Sequence, residues 1–169
     1  FPDNTEEEIH TIARKFYRHF TDVVLEILKM RTISPAALRR RIHYSNPELL
    51  RDYYERNLGV IGMSAHFNNW EWTSGCAEWG PHHPVVVYKP LNNKHFDMFM
   101  KKCRKRHGVE LVPMRETLRH VVKNQKENRI VLYGLISDQS PVWEEVQYWT
   151  PLLNQLTPMF TGAEKIAVK

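Results

Sequence analysis

The sequence predicts an α/β domain in which a mixed, largely parallel sheet has helices on both faces and follows an N-terminal amphipathic helix. Short β-prone segments alternate with longer amphipathic ones, which is the pattern of strands joined by helical crossovers. The segment Ile130-Val131-Leu132-Tyr133 is continuously apolar, as in a strand covered on both faces. Because the chain has 169 residues and 42% of them are hydrophobic, it can bury one core, and we expect a single domain over residues 1–169.

The first element is a long amphipathic helix. Thr5 and Glu8 form a capping-box pattern, and apolar residues then recur at helical spacing. This stripe comprises Ile9, Ile12, Ala13, Phe16, Phe20, Val23, Val24, Ile27 and Leu28. Basic residues on the other face admit a helix lying on a membrane surface, whereas the simpler alternative packs the stripe on the sheet. We favour packing on the sheet.

The later elements follow from the same periodicities. A helix starts at Asn46-Pro47-Glu48, with proline at the first helical position. Strands are predicted at residues 58–63, 84–88, 110–112 and 129–136, and helices at 70–79, 94–107 and 116–125. Residues 140–158, with Trp143, Tyr148 and Trp149, are predicted to form an extended loop or a hairpin over the sheet's edge. Residues 161–169 begin another helix.

Composition excludes several classes of function. No run of about 18 apolar residues is present, so these residues predict no membrane-spanning helix. Two cysteines are too few for a disulfide framework or a zinc knuckle, and no His-Glu-x-x-His occurs. The net charge is +5, with its densest basic run at residues 101–106. That run lacks interleaved aromatic residues, so attraction to anionic lipid or a solvated helix face is favoured over nucleic acid.

The residues with the clearest chemistry follow the first predicted strand. His66 lies in the turn after it, and Glu71 falls in the first turn of the next helix, where the helix dipole favours an acid. An imidazole oriented by a carboxylate can take a proton from a hydroxyl, which suits acyl transfer without a serine or cysteine nucleophile. The His-x4-Glu spacing alone is a weak signal. Asp138 and Gln139 follow the buried strand 129–136 and are expected at the same edge of the sheet.

Several blocks occur in a fixed order along the chain: His66-Phe67-Asn68-Asn69-Trp70-Glu71, residues 87–93 with Asp97, and residues 102–106, 136–141 and 160–162. In these blocks nearly the whole chain resembles the late acyltransferases of lipid A biosynthesis, the LpxL/HtrB-like group, whose first block is often His-Phe-Gly-Asn-Trp-Glu. The resemblance implies a glycerolipid-acyltransferase-like fold. The chain departs from the family pattern at Asn68 and Ala65, where glycines are usual, and both changes concern backbone conformation at the turn.

The resemblance also implies residue roles. His66 deprotonates the acceptor hydroxyl, Glu71 orients His66, and Arg104, with Arg106 as the alternative, binds phosphate or a developing oxyanion. Asp138 positions a group or contacts substrate. The expected substrate-binding residues are Asn69, Lys89, Arg106 and Gln139. No metal or organic cofactor is implied.

The partners implied by the resemblance are acyl-carrier protein as thioester donor, a lipid A precursor as acceptor, and the membrane surface, with no nucleic acid. The expected location is the cytoplasmic face of the bacterial inner membrane, anchored by a segment outside this chain. The family pattern implies a fragment lacking that anchor and the C-terminal part of the domain. Two alternatives stay open: acylation of another lipid (a phospholipid, an aminolipid or a glycosylated inositol lipid), and a non-catalytic lipid-binding module.

Overall fold

We describe the chain from a computed structural model, which covers residues 3–78 and 80–168, without the side chains of 76–78. Helices are α1 Glu6–Lys29, α2 Pro35–Arg39, α3 Glu48–Glu55, α4 Lys94–Lys105, α5 Thr117–Lys126 and α6 Gly162–Ala167. Strands are β1 Val60–Ser64, β2 His83–Tyr88, β3 Glu110–Pro113, β4 Val131–Ile136, β5 Tyr148–Leu152 and β6 Gln155–Met159. Short 3₁₀ helices span Trp70–Glu78, Met114–Glu116 and Trp143–Glu145.

The first four strands form one parallel sheet in the order β1-β4-β2-β3. The central strand β4 carries Val131 and Tyr133 in one buried cluster and Leu132 in another. Because successive side chains of a strand point to opposite faces, β4 is covered on both sides. The predicted α/β class, with a parallel sheet flanked by helices after a long N-terminal helix, is confirmed.

The carboxyl ends of β1 and β4 lie side by side. Ser137 N–H donates to the Ser64 carbonyl at 2.9 Å, which extends the pairing one residue past the ends of the strands. The chain after β1 then turns at Asn68, whose φ is 52°. This left-handed conformation favours glycine, and asparagine is among the side chains that tolerate it best. The departure from glycine at this position is therefore compatible with the turn.

Helix α1 begins as predicted but packs differently. The capping box is present, with Glu8 N–H donating to the Thr5 hydroxyl and Thr5 N–H to the Glu8 carboxylate. Of the apolar stripe, Val23 is buried, whereas Ile9, Ile12, Phe16, Phe20, Val24 and Leu28 are each at least 40% exposed. The prediction that the stripe packs on the sheet is wrong for these residues. Periodicity identifies an apolar face and carries no information about what covers it.

Outside the parallel sheet, one predicted helix has a different form, a predicted hairpin is present, and one helix was not predicted. The helix predicted at residues 70–79 is a 3₁₀ helix over Trp70–Glu78, and Trp79 lies outside the described residues. Residues 140–158 contain the first strand and most of the second in an antiparallel β5–β6 hairpin, one of the two forms predicted. Helix α2, capped by Ser34 with Pro35 in its first turn, was not predicted.

A polar cluster joins the amino ends of β2 and β3 to α5. Glu110 accepts hydrogen bonds from Nε2 of His83 at 2.6 Å and Nε2 of His120 at 3.0 Å, and Arg129 lies 3.7 Å away. Burial raises the pKa of Glu110, but the hydrogen bonds from the two histidines together outweigh it, so this pKa lies below its ordinary value. The cluster is at the opposite end of the strands from His66.

Candidate active site

The carboxylate that contacts His66 is that of Asp138. The His66 ring nitrogen Nδ1 lies 2.8 Å from Asp138 Oδ1, and the His66 backbone N–H donates to Asp138 Oδ2, also at 2.8 Å. The Trp70 ring packs edge-on against the imidazole, with centroids 4.9 Å apart. The imidazole is therefore fixed by a carboxylate and an aromatic ring, while its side chain stays 32% exposed to solvent.

The ionisation of Asp138 decides which ring nitrogen carries hydrogen. Burial raises the pKa of the Asp138 carboxyl, but the hydrogen bonds from the backbone and ring of His66 together outweigh it, so the pKa lies below its ordinary value. An ionised carboxylate only accepts hydrogen bonds, so Nδ1 must donate to it. The lone pair of a neutral imidazole then resides on Nε2. This is the tautomer that a general base requires.

Glu71 is bound to Arg104. Its two carboxylate oxygens accept from Arg104 Nε at 2.8 Å and from Nη2 at 2.6 Å, a bidentate pair. Both side chains are largely buried, at 8% and 16% exposure. The expected contact between Glu71 and His66 is thus replaced by two separate pairs. The reason is topological, because β1–β4 pairing brings Asp138 beside His66, whereas Glu71 faces helix α4.

Arg104 keeps its charge in this environment. Burial disfavours the charged form, but the hydrogen bonds and charge of Glu71 together outweigh it, so the pKa of Arg104 lies above its ordinary value. A guanidinium has five N–H donors, and Glu71 takes two of them. Helix α4 is held to the loop after β2 by Asp97, which accepts from the Leu91 N–H and pairs with Lys101. Arg104 is therefore a fixed cation with three N–H donors that Glu71 does not use.

The predicted binding residues lie in different settings. Asn69 donates from Nδ2 to Glu26 of α1 at 2.7 Å, while its buried Oδ1 has no partner among the described residues. Lys89 and Gln139 are exposed in the loops after β2 and β4. Arg106 caps the carboxyl end of α4 and lines a cavity with Leu38, Ile42 and Gly75, apart from the Glu71–Arg104 pair. Glu26 was not predicted to reach this region.

Among the residues with described side chains, no group of three or more His, Cys, Asp or Glu is arranged to hold a metal ion. No helix within residues 3–78 or 80–168 has the length and apolarity needed to cross a bilayer.

Comparison with known proteins identifies the family of the chain. No curated protein matches the chain significantly. The family profile described as "Bacterial lipid A biosynthesis acyltransferase" matches residues 1–169. This match covers every block that carried the resemblance, including the segments of His66, Arg104 and Asp138. The chain belongs to the bacterial lipid A biosynthesis acyltransferase family.

Proposed function

We propose that this protein, as an LpxL/HtrB-like late acyltransferase, moves a fatty acyl chain from acyl-carrier protein to a hydroxyl of a lipid A precursor. His66 acts as the general base, and Asp138 rather than Glu71 positions it. The observation that carries the proposal is the double contact of Asp138 with the ring and backbone of His66, both at 2.8 Å. It supplies an oriented base at the carboxyl edge of a parallel sheet.

The proposed reaction needs no covalent enzyme intermediate. The acceptor hydroxyl gives its proton to His66 Nε2 as its oxygen attacks the thioester carbonyl, forming a C–O bond. The tetrahedral intermediate then expels the carrier thiolate by breaking the C–S bond, and the thiolate recovers the proton from the imidazolium. Asp138 stabilises the imidazolium through Nδ1–H and takes no proton itself. Such a base contributes about 10² to 10⁴-fold, and positioning and electrostatics supply the rest.

Arg104 is proposed to bind the charge that the reaction presents, either a phosphate of the acceptor or the oxyanion. Glu71 then acts as the positioning residue for Arg104 by holding one edge of the guanidinium. This assignment is supported by the bidentate geometry and by the burial of both side chains. A buried carboxylate without its arginine is costly, so the two residues function as a unit.

The donor and the location are proposed from the basic and apolar surfaces of the protein. Lys102 and Lys105 of α4 and Arg106 directly after it are exposed, and they offer a basic face to an acidic carrier protein. The exposed apolar stripe of α1 supports attachment to a membrane surface, and we place the enzyme at the cytoplasmic face of the inner membrane.

The test uses the full-length protein, an acyl-carrier thioester and a lipid A precursor in detergent. We expect transfer by the wild type and none above background by His66→Ala. Mass spectrometry of the product identifies the acceptor position. Transfer only to a phospholipid, an aminolipid or a glycosylated inositol lipid contradicts the proposed acceptor. Binding of lipid with no transfer to any of these contradicts the enzymatic assignment itself.

A further inference from the structure

The β5–β6 hairpin carries no charge. Residues 146–163, which contain it, include no Asp, Glu, Lys, Arg or His. Its leucines face solvent, with Leu153 86% exposed and Leu156 68% exposed. An isolated two-stranded hairpin is only marginally stable in water, and hairpins with uncharged apolar surfaces tend to associate. This surface therefore fits an apolar environment better than it fits water.

The tip of the hairpin retains a leucine where backbone geometry disfavours one. Leu152 pairs with Gln155, so Leu153 and Asn154 form a two-residue turn, and their φ values are 51° and 63°. Such turns favour asparagine or glycine, and a bulky residue with positive φ is an outlier. Turn formation does not account for Leu153. A residue that combines a disfavoured backbone conformation with an almost fully exposed apolar side chain points to a contact with something outside the chain.

The prolines of the hairpin argue against a protein strand as that contact. Pro151 lies in β5 and Pro158 in β6, and both strands of a two-stranded ribbon are edges. Proline has no N–H, so each edge lacks a donor that an added strand would need. The hairpin is closed to strand addition on both sides, while its apolar side chains stay accessible.

The apolar residues are arranged in two zones. Trp143 packs edge-on against Trp149, with centroids 5.9 Å apart, and Tyr148 precedes Trp149 at the start of β5. The leucines are at the other end, four residues from Trp149 to Leu153, or about 13 Å at the rise of a strand. Aromatic rings at one level and aliphatic side chains beyond them match the order of headgroup and hydrocarbon in a bilayer.

The base of the hairpin is also connected to the parallel sheet through α6. Gln147 accepts hydrogen bonds from Thr161 and Lys165 at the base of the hairpin. Helix α6, which contains Lys165, packs against β1, and β1 leads directly to His66. Phe67, next to His66, is 84% exposed. The hairpin is therefore connected, through α6, to the strand that precedes the base.

We propose that the β5–β6 hairpin inserts its leucine tip into the hydrocarbon boundary of a lipid bilayer, with Trp143 and Trp149 at the headgroup level. Because the hairpin is uncharged, this contact does not require anionic lipid and is insensitive to salt. The inference is independent of the reaction proposed above, since insertion is measured without donor or acceptor.

The test mixes the protein with vesicles of phosphatidylcholine brominated on its acyl chains, which quench tryptophans near the hydrocarbon. We expect quenching that persists in about 1 M salt, where charges are screened within about 3 Å. Leu153→Asp should raise the lipid concentration for half-maximal quenching roughly tenfold to a hundredfold. The matched control is Leu118→Asp on α5, where the leucine is 52% exposed, and it should bind as the wild type does.

Leu153→Gly separates insertion from folding. Glycine suits a φ of 51°, so the thermal midpoint should stay the same or rise, while the affinity for vesicles falls. Wild-type quenching in both Leu153 variants would overturn the proposal. So would the absence of quenching in the wild-type protein, or quenching that disappears at high salt.

Discussion

Replacing Asp138 by asparagine should remove most of the function of His66 while leaving the fold intact. Asp138 accepts two hydrogen bonds from His66, one from the backbone and one from the ring. Asparagine has a single acceptor oxygen, so its amide N–H₂ must face one of these two donors. When the amide faces the ring, it donates to Nδ1 and moves the hydrogen to Nε2. When it faces the backbone, two donors oppose each other.

Either arrangement removes the carboxylate charge that supports the imidazolium, and the first also blocks the base. The loss should therefore approach the whole general-base contribution, about 10² to 10⁴-fold in kcat, or about 3 to 5 kcal/mol of transition-state stabilisation. The effect on folding should be small. His66 and Asp138 are about one-third exposed, and pairs so accessible to water contribute about 1 kcal/mol or less.

The assay is steady-state acyl transfer by the full-length protein over a range of pH, with thermal unfolding measured in parallel. We expect kcat to fall while KM changes little, because the imidazolium that Asp138 stabilises forms only as the reaction proceeds. Asp52→Asn is the matched control, since Asp52 is an exposed carboxylate on α3. A rate within threefold of the wild type for Asp138→Asn would refute the positioning role. So would a His66→Ala/Asp138→Asn double variant much slower than His66→Ala.

Three further results are expected. Arg104→Ala should lower the free energy of unfolding by about 3 kcal/mol, because it leaves the buried Glu71 carboxylate without its partner. Urea denaturation measures this loss, and adding Glu71→Ala should recover part of it. Arg104→Lys should transfer acyl groups almost as poorly as Arg104→Ala, because an ammonium group cannot form the two parallel hydrogen bonds of a guanidinium. Near-normal turnover of Arg104→Lys would contradict the bidentate role. Stability should decline as pH falls below about 4.5, because the folded state holds the pKa of Glu110 below its ordinary value and so binds fewer protons than the unfolded state. Glu110→Gln should flatten that decline, and an unchanged slope of unfolding free energy against pH would contradict it.

Sequence reasoning predicted the sheet well because strand signals are local. The continuous apolar run at residues 130–133 indicated burial on both faces, and β4 is central. The alternation of strand-like and helix-like segments predicted that the strands are parallel. The exposure of the apolar stripe of α1 could not be predicted from local sequence, because an apolar helix face can pack equally well on a sheet or on a membrane. The unexpected 3₁₀ form of Trp70–Glu78 likewise depends on tertiary packing rather than on local pattern.

The pairing of the candidate site residues differs from the expected one. The sequence and the family resemblance together point to His66, Glu71, Arg104 and Asp138 as candidates. Spacing along the chain suggested that Glu71, five residues from His66, was its partner. The hydrogen bond is made instead by Asp138, 72 residues away. The order of strands in the sheet determines which distant residues become neighbours. That order cannot be predicted from any single segment of the sequence.

The strand order also sets when the site can exist during synthesis. β1, β2 and β3 leave the ribosome before β4, yet β1 has no neighbour in the sheet until β4 lies between it and β2. Contacts so distant in sequence form late, because a long loop must close first. Asp138 emerges only two residues after the end of β4, so the strand that pairs with β1 and the partner of His66 arrive together. A nascent chain therefore cannot form the His66–Asp138 contact before β4 has emerged.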